Sequence, residues 1–402
     1  MKQKLIDMRN LYQIIILVIS LNVQPVLGQW TIQESGSTTH LNGVAFFDSV
    51  VGIAVGEVGT ILRTADGGLN WDEIGGQGNK FLWRAYFVNE SDGWITGTNG
   101  TLLYTNDKGL NWAEQNVNST NYLRAIDQFD EANTWLVGND GALFFSNDQG
   151  DNWIDKSVTF QDDFTDVEFV TDSIGVFVGG NGLIMITEDA ANSLTRINVT
   201  DKHIVKVYFI NDSVGWICGQ EGLIYKTTNG GYSWGAQNSG SSEFIQDITF
   251  VKANEGWAVG RNGLLIGTLD GGENWDILNS PTSSALLSVD FVDSSIGWAA
   301  GDRGTILKYS IISNIEETSD YGLECTINPN PVLDEAIIQF SENIGVIKIM
   351  IVNSVGRVLK SKYLVNKDLH SYKFSRNELS SGSYFLYITT DKQQITKQFV
   401  IE

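Results

Sequence analysis

The sequence predicts an all-β chain: a seven-bladed β-propeller followed by a small Ig-like β-sandwich. Three observations lead there. A Gly-x-x-Gly pair recurs every 40 or 41 residues, at Gly56–Gly59, Gly97–Gly100, Gly138–Gly141, Gly179–Gly182, Gly219–Gly222, Gly260–Gly263 and Gly301–Gly304. Each period holds short runs of β-branched and aromatic residues bounded by Gly, Asn or Asp, with no helix-period stretch between them. The periodicity stops at Tyr309, and a different strand pattern follows. A fixed period of about forty residues marks units that bury their faces only against neighbours, and four strands per unit make a propeller blade.

In chain order, residues 1–28 come first. Lys2, Lys4 and Arg9 precede an apolar run from Ile14 to Ile19, then Pro25 and the small Gly28. This is the pattern of a secretory signal peptide, with an apolar run too short to span a bilayer. The alternative is an uncleaved N-terminal anchor. Export is expected, with no transmembrane segment in the mature chain.

The propeller is assigned to residues 29–310. Blade one reads VAFFDS, GIAVGE, TILRTA, then ADGGLNW and DEI. The third turn is the most specific local signal: TADGGLNW at Thr64–Trp71, TNDKGLNW at Thr105–Trp112, SNDQGDNW at Ser146–Trp153, TTNGGYSW at Thr227–Trp234 and TLDGGENW at Thr268–Trp275. Asp66, Asp107, Asp148, Asn229 and Asp270 are expected to accept backbone N–H groups two residues on. Trp71, Trp112, Trp153, Trp234 and Trp275 then open the outer strands and pack between sheets. Blade four reads TEDAANSL at Thr187–Leu194, which predicts a looser turn.

Closure is legible too. Forty-one residues after Trp275 stands Glu316, with no turn motif, whereas forty-one before Trp71 stands Trp30. The mature N-terminus, about Gln29–Glu34, is therefore expected to supply the outer strand of blade seven and remove a free sheet edge.

Charge narrows the partners. Residues 29–320 hold 14 Lys and Arg against 39 Asp and Glu, a balance of −25, while 321–402 hold 9 against 8. An acidic propeller repels phosphates, which excludes nucleic acid, and the charge favours a soluble monomer. Cys218 and Cys325 are expected to be free, and His40, His203 and His370 have no metal-ligand spacing, so neither a metal nor a cofactor is expected.

After a linker at 311–323, residues 324–402 carry NPNP at Asn328–Pro331, NSVGRVL, LSSGSYFLYI and a closing KQFVIE. These motifs, in this order, resemble the type A C-terminal sorting domain of the Bacteroidetes type IX secretion system. The resemblance implies contact with that secretion machinery, passage across the outer membrane, and release or attachment at the cell surface. An Ig-like binding appendage is the alternative.

The repeat F-x-D/N-x-x-x-G-W-x-x-G-x-x-G-x-I/L-x-x-T-x-D/N-G-G-x-x-W, best seen at Gly256–Trp275, resembles the propeller of the photosystem II assembly and stability factors. It also resembles the Asp-box (BNR) repeats of sialidases and xyloglucanases. In the photosynthetic members an arginine patch is associated with partner proteins. Its matching position, three residues before the first-strand Phe (Asp127 in blade three), reads Gly43, Arg84, Arg124, Asp166, Lys206, Asp247 and Ser288.

In an up-and-down blade the inter-blade loops share a face with the Gly-x-x-Gly turns. Arg84, Arg124 and Lys206 are therefore expected beside Arg261 and Arg303, with Phe81, Trp83, Tyr122, Phe160, His203 and Phe244. Arginine with exposed aromatics is the composition of an interface hot spot. The expected function is an exported, non-catalytic binding or scaffold propeller for an unknown protein or glycan. Reversing Arg84, Arg124 and Lys206 to Glu is expected to abolish partner capture while leaving the fold intact. Two alternatives stand: an Asp-box glycosidase, with Asp166 and Asp247 as the carboxylates to test, and a structural adhesion protein.

Overall fold

The structure is a computed structural model. It describes residues 28–310 except 77, 131 and 160–161, and residues 325–401 except 354–357, 377–378, 380–381 and 390–393. Apart from Gly28, the leader lies outside the described residues, as do the linker at 311–323 and Phe160.

Seven four-stranded antiparallel sheets follow one another. Blade two is typical, with strands Leu82–Phe87, Gly93–Gly97, Leu102–Thr105 and the short outer Ala113–Glu114. The second strand of each blade is buried along its length, apart from half-buried Ile296 at the start of blade seven's, as a sheet covered on both faces requires. The seventh sheet is composite. Gln29–Gln33 pairs with Ile306–Ser310, placing Trp30 opposite Tyr309. Trp30 then packs edge-on to Phe291, 5.7 Å between centroids.

One aromatic contact joins blade to blade. The second-strand Trp lies flat on the first-strand Phe of the next blade: Trp135 on Phe169, Trp216 on Phe250, Trp257 on Phe291 and, from blade seven to blade one, Trp298 on Phe46. Blade three has no Phe at this place. Gln128 stands there instead and accepts the Trp94 indole N–H at 2.9 Å.

The Asp-box turns differ from expectation in two respects. Asp66 Oδ1 accepts the N–H of Asn70, four residues on rather than two, at 2.9 Å, and the Thr64 hydroxyl accepts from Gly68 N at 2.8 Å. Blade four is not looser. Asp189 accepts Ser193 N at 2.8 Å and Thr187 accepts Ala191 N at 2.9 Å, so the hydrogen-bond frame is kept. Ala190 and Ala191 hold the turn with φ of 55° each, where the other blades place a glycine in at least one of those positions.

The Gly-x-x-Gly turn needs its second glycine twice over. Gly100 has φ of 70°, and a Cβ there would collide with the carbonyl oxygen of Ser119 in the following inter-blade loop. Gly100 N donates to Asn121 O at 2.8 Å, so turn and loop are bonded on one face, as the strand order predicts.

Residues 325–401 form a separate antiparallel unit of five strands, Cys325–Asn328, Glu335–Asn353, Val358–Ser375, Gly382–Thr389 and Gln394–Ile401. Register shifts between Gln339 and Val346 interrupt the two long strands. One core, including Ile338, Phe340, Ile351, Phe374, Leu386 and Phe399, joins their halves.

Candidate functional site: the inter-blade-loop face and the central channel

Alternate residues of the seven first strands line the centre of the propeller. The layer nearer the inter-blade loops is Gly43, Arg84, Ala125, Asp166, Lys206, Asp247 and Ser288, each opposite the residue just before the first glycine of its Gly-x-x-Gly turn. Arg124 is therefore off by one from its expected place. A bulge between Leu123 and Ala125 makes Arg124 the extra residue, the counterpart of Trp83 in blade two. The misplacement came from the missing Phe: counting back from Asp127 gives Arg124, whereas the true anchor position is Gln128.

Arg84 and Lys206 are committed inside the channel. Lys206 Nζ lies 3.1 Å from Asp166 Oδ2, and the Arg84 guanidinium sits between Asp166 at 3.9 Å and Asp247 at 3.7 Å. The last two are ion pairs beyond hydrogen-bond distance. Asp166 also accepts Val207 N at 3.0 Å, and Asp247 accepts Val289 N and the Ser288 hydroxyl, each at 3.0 Å. Both carboxylates are 2% exposed. Burial pushes the Lys206 ammonium down, but the carboxylates of Asp166, Asp247 and Glu168 together outweigh it and hold the pKa above the usual lysine value. Removing either cation would leave a buried carboxylate uncompensated, so charge reversal of Arg84 and Lys206 should destabilise the fold rather than leave it untouched.

A second layer, two residues further along each first strand, was not anticipated. It carries Asp127, Glu168 and Asp290 with Tyr86 and Tyr208. Asp127 accepts Phe169 N at 2.7 Å and Asp290 accepts Phe46 N at 2.6 Å, each bonding a blade to the next. Burial pushes Asp127 up to about 7, Asp290 up to about 6 and Glu168 well above the carboxylate range. The readable signal was their fixed offset from the upper layer. A cavity of about 210 Å3 opens between the layers, touching Arg84, Tyr86, Lys206, Tyr208, Asp247 and Asp290. No group of metal-ligating side chains is found among the described residues.

On the outer face the remaining nominated residues form two groups. Around blades two and three, the Arg124 guanidinium lies 4.1 Å over the Trp83 ring, and its Nε donates to Asn139 Oδ1 at 2.8 Å. Phe81, 40% exposed, is 6.2 Å from Trp83, and Tyr122 is 42% exposed. Burial draws the Arg124 pKa down, with Asp163 and Tyr122 acting against it. Around blades six and seven, Arg261 lies over Phe244 at 5.0 Å, and Arg303 stands on the next turn with φ of 57°. His203 is 6.1 Å from Phe244, and burial lowers its pKa. Lys80 and Lys202, also on this face, are paired with Glu114 and Glu221.

The fold and the tail together define an exported β-propeller carried by its own sorting domain. The propeller belongs to the photosynthesis system II assembly factor YCF48 family, which matches residues 23–120, 79–158, 153–240, 190–283 and 235–310. The secretion system C-terminal sorting domain matches 326–402, so the chain is delivered by type IX secretion to the cell surface or the medium. Among solved structures, YCF48 bound to D1 peptide is 22% identical, covering 71% of this chain and 99% of its own, with a TM-score of 0.60. YCF48 from Cyanidioschyzon merolae is 19% identical over 70% and 98%, TM-score 0.59. PorZ, a surface component of the type IX secretion system of Porphyromonas gingivalis, is 14% identical over 89% and 58%, TM-score 0.53. No curated protein matches the chain by sequence.

Proposed function

We infer that the chain is a non-catalytic binding propeller whose partner, a protein segment, docks on the inter-blade-loop face. The observation that carries this reading is the platform of blades two and three. Arg124 lies flat over Trp83, beside the exposed aromatics Phe81 and Tyr122, in a strongly acidic body. A guanidinium held by stacking keeps free N–H edges for a partner, and aromatic rings ordered before binding lose little entropy on docking. A peptide partner is supported by the similar YCF48 structure, which holds a D1 peptide.

Catalysis fits less well. Asp166 and Asp247, the carboxylates nominated for sugar hydrolysis, are buried and held by Arg84 and Lys206. A glycosidase acid must exchange a proton with the glycosidic oxygen. The Asp-box carboxylates are locked in turns on the opposite face.

The test uses the full chain, immobilised, with a Trp83→Ala/Tyr122→Ala variant beside it, to capture proteins from envelope and medium fractions. The variant should lose the partner that the unaltered chain retains. Equal capture by both removes this face from the reading, and turnover of a sialoside or xyloglucan would replace it with an enzyme.

A further inference from the structure

The seven Gly-x-x-Gly turns are copies of one another and serve as their own controls. Their middle residues read Glu57-Val58, Thr98-Asn99, Asn139-Asp140, Gly180-Asn181, Gln220-Glu221, Arg261-Asn262 and Asp302-Arg303. Arginine occurs only in the last two, and those are neighbours. Between them lies a cleft of about 370 Å3, walled by Arg261 and Arg303 and floored by Ser283 and Ser284 of the inter-blade loop.

The lining is rich in uncommitted donors. Neither arginine forms an ion pair among the described residues, and the hydroxyls of Ser283 and Ser284 make no hydrogen bond there. The cleft's single carboxylate, Asp302, is already taken by His40 Nδ1 at 2.7 Å. The Phe244 ring under Arg261 fixes that guanidinium without using its N–H groups. In a propeller with 39 acidic side chains against 14 basic ones over residues 29–320, a cleft holding two guanidinium groups without an ion pair among the described residues is a local inversion of the prevailing sign, and its neutral side chains Asn262, Ser283 and Ser284 can each donate as well as accept.

We propose that this cleft is an anion subsite that seats a carboxylate side chain of an acidic protein segment, gripped from both walls by Arg261 and Arg303. Planar guanidinium forks match a carboxylate, and serine hydroxyls below complete its acceptor sites. The inference rests on the inter-blade-loop face being the partner face. It adds where on that face the negative charge goes.

The sister turns supply conservative substitutions. Arg261→Gln installs the residue that blade five carries at that place, and Arg303→Asn installs the left-handed Asn of blades two, four and six. Both replacements therefore suit the local backbone. Binding of a fluorescent Asp/Glu-rich octapeptide to the full chain is measured by anisotropy, beside its Asn/Gln counterpart and an oligogalacturonate. The acidic peptide should bind, the neutral one should not, and Arg261→Gln/Arg303→Asn should weaken binding by about tenfold or more. Affinity should also fall as salt rises.

Peptide binding unchanged in the double variant overturns the subsite. If Trp83→Ala/Tyr122→Ala still abolishes partner capture, the face itself survives that result. Binding of the oligogalacturonate but not the peptide overturns the proposal in favour of a glycan. No binding of either anion overturns it outright.

Discussion

The indole of Trp298 lies flat on the ring of Phe46, with centroids 3.5 Å apart and planes within 5°. The two residues stand at opposite ends of the propeller sequence, yet their contact repeats Trp216 on Phe250 and Trp257 on Phe291, at 3.5 and 3.8 Å. The closing interface is thus built like an internal one. Trp298→Ala should cost about 3–5 kcal/mol, the usual range for a deleted buried aromatic. Trp216→Ala should cost about the same. Denaturant midpoints of the two variants check this, and a much smaller loss for Trp298→Ala would mean that closure adds little.

Arg84 and Arg124 read alike in sequence and lie in different places. Arg84→Ala leaves Asp166 and Asp247 facing each other in the channel with Lys206 alone, and should destabilise by about 3–5 kcal/mol. Arg124→Ala removes one stacked cation at a half-buried site and should cost about 1 kcal/mol or less. Paired urea titrations measure the difference, and equal losses would return Arg124 to the channel.

The channel carboxyls give stability an unusual pH dependence. Asp127 and Asp290 have folded pKa values of about 7 and about 6, raised from 3.8 by burial. Between the unfolded and folded values the folded chain binds more protons, so its stability falls as pH rises through that window. The Asp-box residues Asp66 and Asp107 are shifted the other way, the first by hydrogen bonds from Asn70 and the second by those from Asn111 against the burial that opposes them. Their contribution is lost only at still lower pH, as it falls through their depressed folded values. The melting temperature should therefore peak in mild acid and decline towards pH 8. Asp127→Asn/Asp290→Asn should flatten the decline, and an unchanged slope would assign it to other groups.

How much was legible follows from where each signal sits in the chain. The blade count, the places of the Asp-box turns and the supply of blade seven's outer strand by the chain around Trp30 came from local motifs and a fixed period, which one sequence displays directly. The channel did not. Arg84 meets Asp166 and Asp247 across the axis, and no periodicity specifies which of seven facing residues a long side chain reaches. The bulge after Leu123 was hidden because its marker, the first-strand Phe, is replaced by Gln128. That substitution became intelligible only with the Trp94 indole seen bonded to it. At the outer face, sequence placed Arg261 and Arg303 on one side, and only the packed loops showed that they wall one cleft.

Blade four offers a gain rather than a loss. Ala190 and Ala191 both sit at φ of 55°, a conformation in which an L side chain is strained by about 1–2 kcal/mol. At the matching places blade one has Gly67 and Gly68, and blade six has Gly271 and Gly272. Ala191 is buried in the core around Phe169 and Phe177, so removing its methyl would also forfeit packing. Ala190 is more exposed and has less to lose. Ala190→Gly should therefore raise stability by about 0.5–1 kcal/mol, the relief of strain exceeding the extra unfolded-state entropy. Ala191→Gly should gain less or nothing. Thermal melts of the two single variants decide it, and destabilisation by Ala190→Gly would mean that the turn carries no strain there.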